Sequence, residues 1–210
     1  LLTRKKEGIN AGFFKKRMLA ALAYRERFFK DADSFRAVYS EGDFLPGLIV
    51  DKYNWCVSVQ MLTAGIDRLG DMALEAIDEV FKPSAIVLRN DSTSRALEGL
   101  TLEKKIVKGS IEPLPVIREG NTLFGVDPLG GQKTGFFLDQ ARNRMALAEL
   151  AGGLPPNDGG VALDLFCYTG AWSIKLAQKG FTAVGVDSSA AAIAQAQRNA
   201  ELNAVTENCS

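Results

Sequence analysis

The chain contains no histidine, and this absence excludes more chemistry than any other feature of its composition. Without imidazole there is no Ser-His-Asp or Cys-His nucleophilic machinery, no histidine-ligated metal and no histidine general base within these residues. Cysteine is scarce as well. Cys56, Cys167 and Cys209 are odd in number, widely spaced and form no CxxC pair. No metal site and no disulfide framework is therefore expected, and a reducing, cytoplasmic setting is the default. No run approaches the roughly 20 apolar residues that cross a bilayer, and the opening residues Leu1-Leu2-Thr3-Arg4-Lys5 do not read as a signal peptide.

What is present is ordinary for a globular protein: 210 residues, 47% hydrophobic and 24% charged. That length suits one large domain or two small ones. Net charge is zero, but its distribution is uneven. Residues 1–30 hold nine basic against two acidic residues, whereas residues 31–100 hold six against twelve. From charge alone, the basic segment reads either as a solvated helix face or as a contact for a polyanion such as RNA.

Asn10 to Phe29 has helical spacing in Phe14, Met18, Ala21, Leu22, Arg25 (by its stem) and Phe28, with Asn10 as N-cap. A strand-rich stretch follows: Phe35–Tyr39, Leu48–Tyr53 and Trp55–Leu62, with turn residues Gly42 and Pro46-Gly47. One helix is expected through Ile66, Leu69, Ala73, Ile77 and Val80, ended by Pro83. Ala85–Arg89 is a strand, and Glu119-Gly120-Asn121 turns a hairpin. Lys104-Lys105-Ile106-Val107-Lys108 reads as a solvated strand edge or an RNA contact. The pattern thus predicts a small α+β domain with an antiparallel sheet. A helix over Phe137–Leu150 then presents Leu138, Ala141, Met145 and Ala148, and residues 152–160 are a linker by composition. Val161–Leu165 as a buried strand, Ala171–Gln178, Phe181–Val186 and Ser189–Leu202 complete a parallel βαβα unit.

The chemistry-bearing segment is Asp164-Leu165-Phe166-Cys167-Tyr168-Thr169-Gly170, followed by Val184-Gly185-Val186-Asp187. Ligands of open α/β sheets bind at the carboxyl ends of strands, where Asp187 can take both hydroxyls of a ribose. Dinucleotide sites place G-x-G-x-x-G in the first turn. Here only Gly170 stands there, with bulky Phe166 and Tyr168 in the place of glycines, so NAD is disfavoured. S-adenosylmethionine (SAM) has a ribose and adenine but no phosphate, and Asp164 can face its amino group or sulfonium. Cys167 invites the role of nucleophile, but no basic neighbour in sequence lowers its pKa, which favours a loop position. Asp43 and Asp51 read as turn formers rather than catalytic acids.

Four stretches, read together, resemble one family. They are Glu41-Gly42-Asp43-Phe44-Leu45-Pro46-Gly47-Leu48-Ile49-Val50-Asp51-Lys52-Tyr53, Arg89–Leu100, Gly131-Gln132-Lys133-Thr134-Gly135-Phe136-Phe137-Leu138-Asp139-Gln140, and Asp164–Gly170. In this order the chain is similar to class I SAM-dependent RNA methyltransferases that form 5-methylcytosine in 23S rRNA. The resemblance implies three parts: a basic linker helix (1–33) after an RNA-binding PUA-like domain, a central α+β domain (34–129), and the start of a Rossmann-like methyltransferase domain (130–210), truncated. It implies that Lys133, Thr134, Phe137 and Gln140 line the methionine side of the SAM site. Phe166, Cys167, Tyr168, Thr169 and Gly170 would form its loop, with Asp187 on the ribose. The family's Asp-Pro-Pro motif and catalytic cysteine are not among these residues, so the resemblance implies a fragment inactive by itself, its target nucleotide and its state as monomer or homodimer open. Two other readings are an RNA-binding module without activity and a nucleotide-cofactor oxidoreductase.

Overall fold

The computed structural model describes residues 2–29, 32–153 and 160–210. They form two compact units, Leu1–Pro115 with Val126–Phe136 and Val116–Gly125 with Phe137–Ser210. Most of the linker expected at 152–160 lies outside the described residues. No described helix is long and apolar enough to cross a membrane.

In the first unit Asn10 caps α1 (Ala11–Glu26), its side chain accepting from the Phe13 N–H at 3.0 Å. Phe13, Phe14, Met18 and Ala21 are the buried face. The expected stripe fails only at its end, where Phe28 lies past the helix and is exposed. Strands β1 (Ser34–Tyr39), β2 (Leu48–Tyr53), β3 (Cys56–Met61), β4 (Ala85–Asn90) and β5 (Glu103–Lys108) lie side by side in that order. Helices α2 (Ala64–Asp67) and α3 (Gly70–Phe81) join β3 to β4, and α4 (Thr93–Leu97) precedes β5. The sheet is not purely antiparallel as expected: β3 and β4 run parallel. A helical crossover between them brings the chain back to start β4 beside the start of β3. The helix expected through residues 66–80 is likewise two.

Side chains alternate across this sheet, so its two faces pack differently. Val50, Val57, Val59, Ile86 and Leu88 join Phe14 and Met18 of α1 and Ala73 and Ile77 of α3 in the main core. α1, within the stretch expected as a linker helix, thus supplies part of that core. Cys56, Ala85 and Val87 point the other way, toward Ile111, Leu114 and Leu129. Segment 126–136 lies across this second face. Arg89 donates to the Pro128 carbonyl at 3.0 Å, the Thr134 hydroxyl to Asp51, and the Tyr53 hydroxyl sits 2.9 Å from Thr134 Oγ1. Gly47 has a φ of 82°, and a Cβ there would meet Thr63 Oγ1 at 2.5 Å, so the Leu-Pro-Gly turn needs its glycine.

The second unit opens with the expected hairpin, β6 (Val116–Glu119) and β7 (Thr122–Gly125), turned at Gly120-Asn121. A 3-10 turn, Leu138–Gln140, leads into α5 (Ala141–Gly152). Then come β8 (Val161–Leu165), α6 (Ala171–Ala177), β9 (Thr182–Val186) and α7 (Ala190–Leu202), with β8 and β9 parallel. Ser189 caps α7 by accepting from the Ala192 N–H. Two expectations are corrected. α5 buries Arg144, Ala148 and Ala151 while Met145 is exposed, because Arg144 is drawn inward to the buried Glu119 carboxylate. β8 is not a buried strand. Val161, Leu163 and Leu165 are exposed, since only the face carrying Ala162 and Asp164 is covered among the described residues.

Candidate functional site

The loop from Leu165 to Gly170 connects β8 to α6 and lies beside the end of β9. Cys167 N–H donates to the Val186 carbonyl at 3.0 Å, which splices the loop onto β9. Asp187 follows directly. One of its oxygens accepts from the Tyr168 N–H and the other from the Ser189 N–H, both at 2.9 Å. Asp187 thus fixes the loop and the first turn toward α7 at once, and both carboxylate oxygens keep lone pairs for further donors. Asp164 is tied into α6, with Oδ2 accepting from Ser173 Oγ at 2.7 Å and from Ser173 N–H at 3.1 Å.

The loop backbone is strained where the aromatic residues stand. Phe166 and Tyr168 both adopt left-handed φ, 64° and 50°, a conformation that costs a non-glycine residue about 1–3 kcal/mol. Phe166 gains no burial in return: it is 87% exposed. Tyr168 meets Phe137 edge-on, ring centroids 5.4 Å apart. Gly170, also left-handed, lies where a Cβ would sit 3.0 Å from that of Ala196, so α6 and α7 approach closely there. Thr169 is buried, and its hydroxyl has no hydrogen-bond partner among the described residues.

The structure brings Phe137, Asp164, Phe166, Cys167, Tyr168, Thr169, Gly170 and Asp187 into one unit, with Gln140 in the 3-10 turn, bonded to Asn143 and Asp139. Lys133 and Thr134 belong to the first unit. The Thr134 hydroxyl is engaged there by Asp51 and Tyr53. Asp43, in the 3-10 turn, is paired with Arg25, which fits its expected turn role; Asp51 is no turn former but a buried β2 residue paired with Arg36, so both aspartates serve the fold.

Cys167 is a loop residue by its electrostatics too. Burial, with Asp164 and Asp187 adding to it, pushes its thiol up to about 11. The thiol stays protonated until the pH approaches that value. Iodoacetamide at pH 8 is expected to alkylate Cys167 about 100-fold more slowly than a free cysteine, read by peptide mass spectrometry; labelling at the free rate would mean an exposed thiolate.

Sequence reading missed the polar stripe of α7. Asn199 is fully buried and spans two partners: Oδ1 accepts from Gly125 N–H at 2.8 Å and Nδ2 donates to the Thr169 carbonyl at 3.0 Å. Gln195 donates to the Gly125 carbonyl, and Asn203 brackets Leu123 from both sides. These residues hold the hairpin against the loop. Their spacing of four was the available signal, since polar residues repeating along one helix face demand partners.

No family model matches the chain. It is 34% identical over 209 residues to a Methanocaldococcus jannaschii protein named, provisionally, as a ribosomal RNA large subunit methyltransferase, covering 99% of this chain and 52% of that one. It is 33% identical over 208 residues to ribosomal RNA large subunit methyltransferase I of Shewanella denitrificans, covering 97% and 51%. The chain therefore spans about half the length of the curated relatives it matches. Among solved structures, a Streptococcus mutans protein, described provisionally as a SAM-dependent methyltransferase, superposes with a TM-score of 0.82 at 23% identity, covering 100% of this chain and 54% of that one. A second, provisionally described as a methyltransferase and complexed with SAH, gives 0.80 at 22%, covering 100% and 53%. The fold is that of SAM-dependent methyltransferases, and over nearly its whole length the chain is a relative of proteins named ribosomal RNA large subunit methyltransferases.

Proposed function

We propose that this chain is part of a SAM-dependent methyltransferase acting on large-subunit ribosomal RNA, with C5 of a cytosine in 23S rRNA as the target. The observation that supports this most is Asp187, a carboxylate at the carboxyl end of a parallel strand whose two oxygens are each steadied by a backbone N–H. So placed, it can accept from both hydroxyls of a ribose. The residues of the loop fit a nucleoside that carries no pyrophosphate. Phe166 and Tyr168 offer ring faces, and Gly170 is spent on the approach of α7 rather than on a phosphate. When bound, SAM supplies an electrophilic methyl group. Asp187 holds its ribose, Asp164 faces its positively charged end, and Phe137, Gln140 and the 166–170 loop orient it. In this reading α1 follows a PUA-like RNA-binding domain in the whole protein.

Methylation of cytosine C5 proceeds through a thiolate added at C6, which needs a cysteine ionised near neutral pH. None of the three present is suited. Burial pushes Cys56 up to about 12, Cys167 up to about 11, and Cys209 upward as well. In this reading none of the three is the thiolate, and the 210 residues on their own are expected to bind cofactor without transferring methyl groups.

Calorimetric titration with S-adenosylhomocysteine (SAH) and, separately, with NADH tests the cofactor. Heat from SAH alone is expected, and heat from NADH alone would replace this reading with the oxidoreductase one. Labelled methyl transfer to large-subunit rRNA tests the rest. The whole gene product should label cytosine C5, whereas the 210-residue chain should not. Label on an exocyclic nitrogen would overturn the C5 assignment.

A further inference from the structure

The turn between β1 and β2 holds an aromatic side chain in a conformation that the fold does not require of it. Phe44 adopts φ 58°, ψ 30° after the 3-10 turn Ser40–Asp43, a left-handed position that glycine occupies without strain and a bulky residue does not. Its ring is 65% exposed, so no burial offsets that strain. The turn itself is fixed by other groups. The Asp43 carboxylate is held by the Arg25 guanidinium and accepts from the Tyr39 N–H, Ser40 Oγ accepts from Gly47 N–H at 2.8 Å, and Leu45 is fully buried.

Around this turn, arginines lie over exposed rings. Arg17 of α1 sits 5.3 Å from the Phe44 centroid and 5.2 Å from that of Phe13. Arg36 covers Tyr39 at 5.4 Å and Arg25 covers Tyr24 at 5.8 Å, both rings being more than half exposed. Arg25 Nε also donates to the Arg36 carbonyl at 3.0 Å, which ties these groups together. Arg25 and Arg36 are ion-paired to aspartates, but Arg17 has no carboxylate partner among the described residues. Glu41, the acidic residue of the turn, is held by the Ser40 hydroxyl. The other basic run, on β5, is largely neutralised: Lys105 pairs with Glu103 and Lys108 with Asp78.

We infer that this face of α1 and the β1–β2 turn is a stacking platform for unpaired bases of RNA, with Phe44 and Tyr39 as ring surfaces and Arg17 as the phosphate-facing cation. Exposed rings interleaved with arginine are what single-stranded nucleic acid uses: every base offers a π-face, and its backbone offers negative charge. The inference rests on the RNA-methyltransferase reading for its biological partner. It lies in the first unit and Asp187 in the second, and different variants probe each, so the two can fail separately.

Fluorescence anisotropy of the 210-residue chain with a labelled twelve-nucleotide oligocytidine RNA, and with a duplex of equal length, tests it. The single strand should bind more tightly than the duplex. Phe44→Ala should weaken binding about tenfold, Phe44→Trp should preserve it, and Arg17→Gln should weaken it with a shallower salt dependence. Phe44→Gly is the decisive variant. It should raise the melting temperature by about 2–4 °C by relieving the left-handed strain, and lower RNA affinity as alanine does. Lys105→Gln on β5 should leave binding unchanged. Wild-type affinity in Phe44→Gly, equal binding of single strand and duplex, or no binding at all would overturn the platform. SAH titration of the same variants should remain normal; if SAH fails to bind wild type, the methyltransferase reading fails instead.

Discussion

Replacing Glu119 with alanine is expected to destabilise the second unit by about 3–5 kcal/mol, because it strips the carboxylate that two buried cations share. Arg144 Nε lies 3.0 and 3.2 Å from the two carboxylate oxygens, and Lys175 Nζ lies 3.6 Å from Oε1. All three side chains are under one-tenth exposed. One Glu119 carboxylate thus faces two cationic side chains. Main-chain carbonyls complete the cluster: Lys175 donates to that of Glu119 at 2.7 Å and Arg144 to that of Phe137 at 3.2 Å. Burial already pulls the Lys175 ammonium below the usual lysine range, with Glu119 opposing that pull. Without Glu119 the depression deepens. The native state then binds fewer protons than the unfolded one, so the variant should recover stability as pH rises through the lowered lysine pKa. Urea denaturation at pH 7 and pH 9 measures both effects. A triple change, Glu119→Leu with Arg144→Met and Lys175→Met, should lie much nearer wild type, since no charge is left unpaired. A single variant as stable as wild type would show that water reaches the cluster.

For Asp187→Ala, SAH affinity should fall about 100-fold or more. In the proposed site two charge-assisted hydrogen bonds to the ribose would be lost, each contributing about 1.5–3 kcal/mol, and the loop loses its anchor at Tyr168 N–H. Asp187→Asn should fall between alanine and wild type, because its amide oxygen can still accept from one backbone N–H but carries no charge. Calorimetry gives the affinities, and a thermal melt separates them from unfolding. Unchanged SAH affinity in a folded Asp187→Ala would remove the carboxylate from the ribose.

How much of this was legible depended on whether a residue's partner was near in sequence. Asn10 as cap, β2 at Leu48–Tyr53, the Gly120-Asn121 hairpin, and Asp187 closing β9 all followed from local signals: a cap residue, alternation, a turn pair, a strand end. Errors arose where a distant partner decided. Arg144 turned α5 by pairing with Glu119, twenty-five residues away. The apolar run of β8 promised two covered faces, but only one is covered among the described residues. The parallel pairing of β3 with β4 was set by the crossover rather than by either strand's pattern. At the candidate site, the acids and the loop were readable because each stands at a strand end. Asn199 was not, since its role appears only once the hairpin is beside it.

The hairpin at 116–125 belongs to one unit, yet the next eleven residues return to the other, where Thr134 reaches Asp51 and Tyr53 across more than eighty residues of sequence. No single cut of the chain yields two whole units. Severing it at Pro115 leaves the first sheet without the segment that covers one of its faces, and severing it after Phe136 takes the hairpin from the second. During synthesis the first unit cannot close before the hairpin has also emerged. The two units are thereby committed to fold as interdependent steps, and attempts to express either alone should retain the full stretch from 116 to 136.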